Sequence, residues 1–312
     1  MHQQLFKRSM RLMGNHFELS VVGHDEQWAV ERIDAGVAEI QRIERLLTTY
    51  NEYSDTCRIN AGAGITPVAV SPETFHLIER SLRISQITQG AFDITYGSVD
   101  KSLWNFDTTM RRLPDRDTAR KMVRLINYKN VLLDKELMTV YLKEKGMRIG
   151  FGGIGKGYAA ERAKSIMQSM GVISGVVNAS GDLAAWGYQP NGAPWTIGIV
   201  NPNAAGQIFS WLDVTDMALA TSGNYEKYIL IGGKKYSHTI NPRTGLPVTG
   251  IKSVTIICPN AEIADAMATP VMIMGVHAGM DMINQINNVE AILIDDEDNV
   301  YTSHNLLIKQ PT

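Results

Sequence analysis

The sequence predicts one compact α/β or α+β unit with two lobes and a cleft between them, and three observations carry that prediction. Segments with helical apolar spacing alternate with short apolar or alternating runs bounded by Gly, Asn or Pro. The 312 residues, 44% of them hydrophobic, suffice for a large core in one big or two medium domains, and no repeat or low-complexity linker divides them. A glycine-rich segment, Gly150-Phe-Gly-Gly-Ile-Gly-Lys-Gly-Tyr158, lies between a strand-like run and an amphipathic stretch, where an α/β protein places a ligand-binding turn.

Taken in order, residues 17–22 alternate as a strand. Residues 28–49 form a helix of about six turns, with Trp28, Ile33, Val37, Ile40, Ile43 and Leu47 at helical spacing. The polar run 49–55 breaks it. Ser71, Pro72 and Glu73 supply an N-cap, a first-turn proline and a first-turn acid for a second helix, which runs to about Thr88 and stops before Gly90. Residues 90–95 read as a short loop and strand, and 138–142 as a strand closed by a turn at 144–146. A third helix spans about 158–170, with Ala159, Ala163, Ile166 and Met167 on one face. Strands follow at 174–178, 195–199, 217–221, 228–231 and 251–258, then a helix at 263–274 and closing strands at 289–294 and 306–308.

Charge excludes some classes. The 30 basic and 32 acidic side chains give a formal net charge of −2 without blocks of one sign, so attraction to nucleic acid or anionic membrane is not indicated. No apolar run approaches membrane-spanning length. Two cysteines, Cys57 and Cys258, make neither a disulfide framework nor a zinc site and read as buried thiols. No apolar signal region follows the charged N-terminus, so the chain as written reads as cytoplasmic, with a trimmed export signal left open.

The glycine-rich turn imitates two motifs. Gly150, Gly152 and Gly155 fit G-x-G-x-x-G, but no acidic residue stands about 20 positions on; Asp182 comes later, in a Gly-flanked turn of its own. Gly150, Gly155 and Lys156 fit G-x-x-x-x-G-K, but Gly157 stands where a P-loop needs a hydroxyl. A different phosphate site and a purely structural turn both remain.

Three further clusters are candidates for chemistry. On the helix after Cys258 and Pro259, Asp265 and Thr269 are four apart and share a face. A carboxylate, a hydroxyl and nearby carbonyls form the hard-oxygen set that suits Mg²⁺ beside a phosphate, whereas an Asp near a helix start also serves as a plain cap. His238 is the one histidine of seven inside a turn-rich loop, Tyr236 to Pro247, where a catalytic base and a structural role are both open. The hydroxyl-rich stretch Ala220 to Tyr225 either meets a ligand or joins two strands.

Together these pieces resemble the ApbE-type FAD:protein FMN transferases from about Met13 to Gly275. The resemblance rests on Met13-Gly14, Thr49-Tyr50, Ser54 through Asn60, Gly90-Ala-Phe-Asp93, Leu103-Trp104 and Gly152 through Tyr158. It continues in Asn178 through Asp182, Ala220 through Gly223, His238 through Pro247 and Ala264 through Thr269. Each piece is weak alone; their order and spacing are specific.

The resemblance implies a mixed-sheet fold with flanking helices, its two lobes around an FAD cleft, as a single domain over 13–312 behind an N-terminal extension over 1–12. It implies FAD as substrate, Mg²⁺ on the pyrophosphate, transfer of FMN to a Thr or Ser hydroxyl of an acceptor protein, and release of AMP. Asp265, Thr269 and the Gly153 backbone oxygen would hold the metal. Met13, Tyr50, Ala91, Phe92, Asp93, Lys156 and Thr239 would line the nucleotide site, with Asn60 in a segment that approaches it, and His238 would deprotonate the acceptor hydroxyl. The acceptor implied is an FMN-binding domain of an electron-transport or ion-pumping flavoprotein, and the compartment is commonly the periplasm, with a lipoprotein anchor on the inner membrane.

The sequence departs from the family pattern at Gly150 (often an acid), Asn15 (commonly Thr), Ser180 (usually Gly) and Gly155 (often Ala). Three rival readings stand beside the transferase: a Mg²⁺-dependent FAD pyrophosphatase giving FMN and AMP, a non-catalytic FAD-binding protein, and a nicotinamide dehydrogenase.

Overall fold

Alternation along the N-terminal residues builds a hairpin, β1 (Gln4–Leu12) and β2 (Asn15–Gly23), in the computed structural model, which describes residues 3–103, 112–204, 207–224, 228–232, 234–237 and 239–306. Its two-residue turn, Met13 and Gly14, has both φ angles positive (49° and 71°), the twist that a tight hairpin requires. Residues 4–12, outside the family-like span, thus form an edge strand of the main sheet. Helix α1 (Glu26–Leu47) starts where the Asp25 carboxylate accepts from Trp28 N–H at 2.7 Å, and it buries Ile33, Ile40, Ile43 and Leu47. Helix α2 (Asp55–Ala61), capped by Ser54, and strand β3 (Val68–Ala69) lead to α3 (Pro72–Ile87), whose Ser71 cap and Pro72 start follow the sequence signals.

Residues 90–95, expected as loop and strand, instead enter a 3₁₀ turn at Ile94–Ser98. Asp93 diverts the chain: its carboxylate accepts from Thr95 N–H and Oγ1 at 2.8 and 2.6 Å and from Tyr128 N–H at 2.9 Å, so local capping overrides extension. Helix α4 (Arg116–Val123) and strands β4 (Val131–Asp134) and β5 (Thr139–Leu142) follow, β5 pairing with both β3 and β4.

Helix α5 (Gly155–Ser169) precedes a run of strands: β6 (Gly175–Ala179), β7 (Asp182–Trp186), β8 (Trp195–Val200), β9 (Ile208–Val214), β10 (Met217–Gly223), β11 (Tyr228–Ile231), β12 (Lys234–Ser237) and β13 (Ile251–Cys258). Helices α6 (Ala261–Met274) and α7 (Val276–Ile283) and strands β14 (Glu290–Asp295) and β15 (Val300–Thr302) complete the described chain. A closing strand at 306–308 falls largely outside the described residues; β15 closes the sheet instead.

The main sheet runs β1-β2-β6-β7-β10-β13-β14-β15, and every neighbouring pair is antiparallel. The fold is therefore α+β. Strand β6, which follows the glycine-rich turn and α5, pairs antiparallel with β2 and β7, so these elements are not the parallel βαβ unit of a dinucleotide fingerprint.

Period-2 alternation sorts the core into two layers. Phe17, Leu19, Val177, Ala184, Ile256 and Leu293 join the helix-side core, and Val22, Leu183, Leu219, Ile257 and Ile292 face the β8–β9 hairpin with its Trp195, Ile199 and Leu212. Sheet strands buried on both faces read as continuous apolar runs rather than alternating ones. Val131, Val140 and Leu142 of the three-stranded sheet share the helix-side core, so one apolar core spans both sheets.

Two local features give testable consequences. The β6–β7 hairpin turns at Ser180 and Gly181, φ 58° and 98°, which places a non-glycine residue in the left-handed region. Ser180→Gly is expected to stabilise the fold by roughly 0.5–1 kcal/mol; unchanged or lower stability in urea unfolding would contradict this. Cys258 is buried and Cys57 half-buried. Burial pushes the Cys258 thiol up to about 11, leaving only about one thiolate in a thousand at pH 8. Native protein should therefore leave Cys258 unlabelled by a thiol reagent at pH 8, with labelling on unfolding.

Candidate functional site

The glycines of the turn divide into two kinds. Gly157 is required by packing: a Cβ there would lie 2.1 Å from the Ala261 carbonyl oxygen and 2.7 Å from Asp265 Cβ, so only glycine lets α5 start against α6. Gly150 and Gly152 have nothing within 4 Å of an added Cβ, so open space lies beside the turn. Gly153 faces the Phe92 ring, whose Cε2 would be 3.6 Å from an added Cβ. Met13, at the tip of the first hairpin, brings its Cε to within 3.8 Å of the corresponding point on Gly155.

The extended segment entering the turn, residues 148–150, is clamped from two sides. Asn60 on α2 donates to the Ile149 carbonyl at 3.1 Å and accepts from Ile149 N–H at 2.8 Å. Ser98 Oγ donates to the Arg148 carbonyl at 3.0 Å and lies 2.8 Å from Arg148 N, and Gly150 N–H donates to the Ile94 carbonyl at 3.0 Å. The Asn60 amide is thus spent on backbone, holding the turn in place.

Helix α5 begins without a side-chain cap from its own N-terminal segment; the cap comes across from α6. Asp265 Oδ2 accepts from Gly157 N–H at 2.9 Å. The sequence predicts that the helix start presents free N–H groups to a ligand anion; in the structure the Gly157 N–H is held by Asp265. Burial pushes the Asp265 carboxyl above the ordinary carboxylate range, against the pull of the Lys156 ammonium and the Gly157 N–H. That ammonium forms a long ion pair with Asp265 Oδ1 at 3.9 Å, beyond hydrogen-bond distance, so it compensates the buried carboxylate only in part. The carboxylate's environment fits a bound cation.

Lys156 is instead bonded to Asp182 on β7. Sequence reading left Asp182 in a turn and missed this contact. A signal was present: Asp182 has the same strand parity as Ala184 and Trp186, both in the helix-side core, so a charged residue sits at a core-facing position. Thr269, one turn beyond Asp265 on α6, is half-buried, with Oγ1 3.4 Å from Ser222 Oγ. Residues 217–223, expected partly as a hydroxyl-rich turn, form strand β10 and turn Ser222 toward α6.

Ala91 and Phe92 are buried on the segment that faces the glycine turn, and burial raises the Asp93 carboxyl above its ordinary range against hydrogen bonds from Thr95 and Tyr128. Tyr50, by contrast, is 97% exposed on the loop after α1, and the structure does not bring it against the other candidates. His238 lies outside the described residues. Its neighbour Thr239 is buried, with its N–H bonded to Ser237 Oγ at 2.9 Å and its carbonyl to Val248 N–H at 2.9 Å. The same loop is fixed to the 89–98 segment by Ile240 N–H donating to the Tyr96 hydroxyl at 3.0 Å and by Arg243 donating to the Gln89 carbonyl. Gly245, φ 71°, lies so close to the Ala119 carbonyl that a Cβ would be 2.0 Å from its oxygen.

Among the described residues no three His, Cys, Asp or Glu side chains converge as a metal cluster, and no helix is long and apolar enough to cross a membrane. The buried Asp265 carboxylate with the Thr269 hydroxyl and the nearby Lys156, beside an open glycine turn, suits a phosphate-bearing nucleotide that brings further oxygen ligands with it.

An α+β fold with such a site corresponds to one established class of protein. The chain belongs to the ApbE family, whose model matches residues 13–293. It is 30% identical to an FAD:protein FMN transferase of Klebsiella pneumoniae over 293 residues, covering 93% of this chain and 89% of that protein. It is 27% identical to the FAD:protein FMN transferase of Escherichia coli K12, covering 88% and 80%. The crystal structure of the ApbE protein of Thermotoga maritima is similar with a TM-score of 0.86, at 29% identity over 96% of this chain and 97% of that one. That of the flavinyl transferase ApbE of Pseudomonas stutzeri has a TM-score of 0.83, at 25% identity over 97% and 95%.

Proposed function

We propose that this protein transfers FMN from FAD to a Thr or Ser hydroxyl of an acceptor flavoprotein and releases AMP. The observation that carries the reading is the buried Asp265 carboxylate, held against the start of α5 beside Lys156 and an open glycine turn, in a chain of the ApbE family. Asp265, Thr269 and the Gly153 carbonyl would hold Mg²⁺, which when bound neutralises pyrophosphate charge. Met13, Ala91, Phe92, Asp93 and Thr239 line the nucleotide site with Lys156, whose ammonium is placed to meet phosphate oxygens. Tyr50 packs on the bound ligand from its exposed loop, and Asn60 acts through the backbone that it clamps.

In the transfer, the acceptor hydroxyl oxygen bonds to the FMN phosphorus of the pyrophosphate. The bond from that phosphorus to the bridging oxygen breaks, AMP leaves with the bridging oxygen, and the hydroxyl proton passes to His238. A Thr hydroxyl is a poor nucleophile at neutral pH, so a positioned base is required for speed. The flavin ring is cargo and undergoes no redox change. The acceptor is an FMN-binding domain of an electron-transport or ion-pumping protein.

His238→Ala should bind FAD with little change while transfer falls by roughly 10²–10⁴-fold. FAD affinity and transfer rate measured side by side check this: affinity that collapses with the rate assigns His238 to binding, and an unchanged rate assigns the proton to another group.

A further inference from the structure

Asp182 belongs to none of the roles assigned above, yet its geometry is specific. It is the first residue of β7, set by the two-residue turn at Ser180 and Gly181, and Gly181 N–H is tied to the Asn178 side chain at 2.9 Å. Its side chain is only 4% exposed, and its Oδ2 contacts the Lys156 ammonium. The same ammonium is 3.9 Å from Asp265 Oδ1. Lys156 therefore stands between two buried carboxylates and bonds to the one that has no assigned ligand.

The alternative arrangement is close at hand. A lysine on a flexible four-carbon stem would need to shift by only about an ångström to reach hydrogen-bond distance from Asp265. In that position it would neutralise the charge and cover the oxygen that a divalent cation needs. We propose that Asp182 is a positioning residue that holds Lys156 off Asp265, keeping the Asp265 carboxylate available to a divalent cation and the Lys156 ammonium directed at the nucleotide phosphates. The inference rests on the reading that Asp265 holds the metal.

The test is Mn²⁺ binding to the full-length protein, followed by the electron paramagnetic resonance of free Mn²⁺ without FAD or acceptor. Asp182→Asn should weaken Mn²⁺ binding at least about tenfold by releasing Lys156 onto Asp265. Adding Lys156→Met to Asp182→Asn removes the competitor and should restore binding to that of Lys156→Met alone.

The comparison between Lys156→Met and the double variant keeps the test decisive if Asp182→Asn alone fails to fold. Should the double variant bind Mn²⁺ much more weakly than Lys156→Met, Asp182 acts on the metal without the lysine, or on the fold, and the proposal is overturned. Unchanged binding in Asp182→Asn overturns it as well. Asp265→Ala separates the two readings. Binding that survives this substitution removes the metal assignment and the proposal with it, whereas Asp265-dependent binding indifferent to Asp182 removes the proposal alone.

Discussion

Asp265→Asn is expected to lower FMN transfer by at least about 10³-fold while the protein stays folded. The carboxylate is the one anionic side chain assigned to the metal, and a cation's stabilisation of developing phosphate charge is worth several kcal/mol. A loss of about 4 kcal/mol corresponds to about three orders of magnitude in rate. Asn retains an oxygen for the Gly157 N–H, which Asp265 now accepts at 2.9 Å, and it removes the cost of burying a charge, so stability should change by less than about 1 kcal/mol. Transfer rates over a range of Mg²⁺ concentrations, together with the melting temperature, check both halves. Full activity at low Mg²⁺ would place the metal elsewhere.

Gly157→Ala is expected to do the opposite, damaging the fold first. A methyl group 2.1 Å from the Ala261 carbonyl oxygen cannot be relieved by a side-chain rotation, because the atom that it strikes is backbone. Helix α5 would have to move off α6, breaking the Gly157–Asp265 hydrogen bond and separating Lys156 from the carboxylate. Overpacking of this kind costs about 3 kcal/mol or more. Chemical denaturation should show that loss, and FMN transfer should fall with it. Gly152→Ala serves as the contrast: nothing lies within 4 Å of its Cβ, so its stability should be nearly unchanged, while a Cβ projecting into the ligand's space should weaken FAD binding.

These two substitutions mark the boundary of what sequence revealed. Local signals worked where the cause is local: the Ser71–Pro72 start of α3, the apolar stripe of α1, and the shared face of Asp265 and Thr269 on α6. The glycine turn was recognisable as a ligand-approach element, but two of its meanings depend on distant residues. That Gly157 is fixed by Ala261, and that its N–H is held by Asp265, are contacts across more than a hundred positions, which no window of sequence contains.

The edge strand β1 gives a weak signal because Lys7, Ser9 and Arg11 are exposed and polar, and of its inward positions only Leu12 is buried, with Phe6 and Met10 partly so. Helix α2 lies just beyond the polar break at 49–55 and is not predicted from sequence, since seven residues carry too little periodicity; its Ser54 cap is the available sign. Asp182 was legible only through the parity of its strand, which requires knowing that β7 is a strand. Tyr50 shows the reverse limit: its motif is legible in the sequence, yet the ring stands exposed on its loop, away from the other candidates.

The central claim, covalent transfer of FMN from FAD to a protein hydroxyl, is tested most directly by incubating the protein with FAD, Mg²⁺ and an FMN-acceptor domain. Mass spectrometry of the acceptor is then paired with quantification of AMP. The account predicts an acceptor heavier by one FMN phosphoester on a single Thr or Ser, with one AMP released for each FMN attached. Free FMN and AMP with an unmodified acceptor would identify a pyrophosphatase, and intact FAD with an unmodified acceptor would contradict the account altogether.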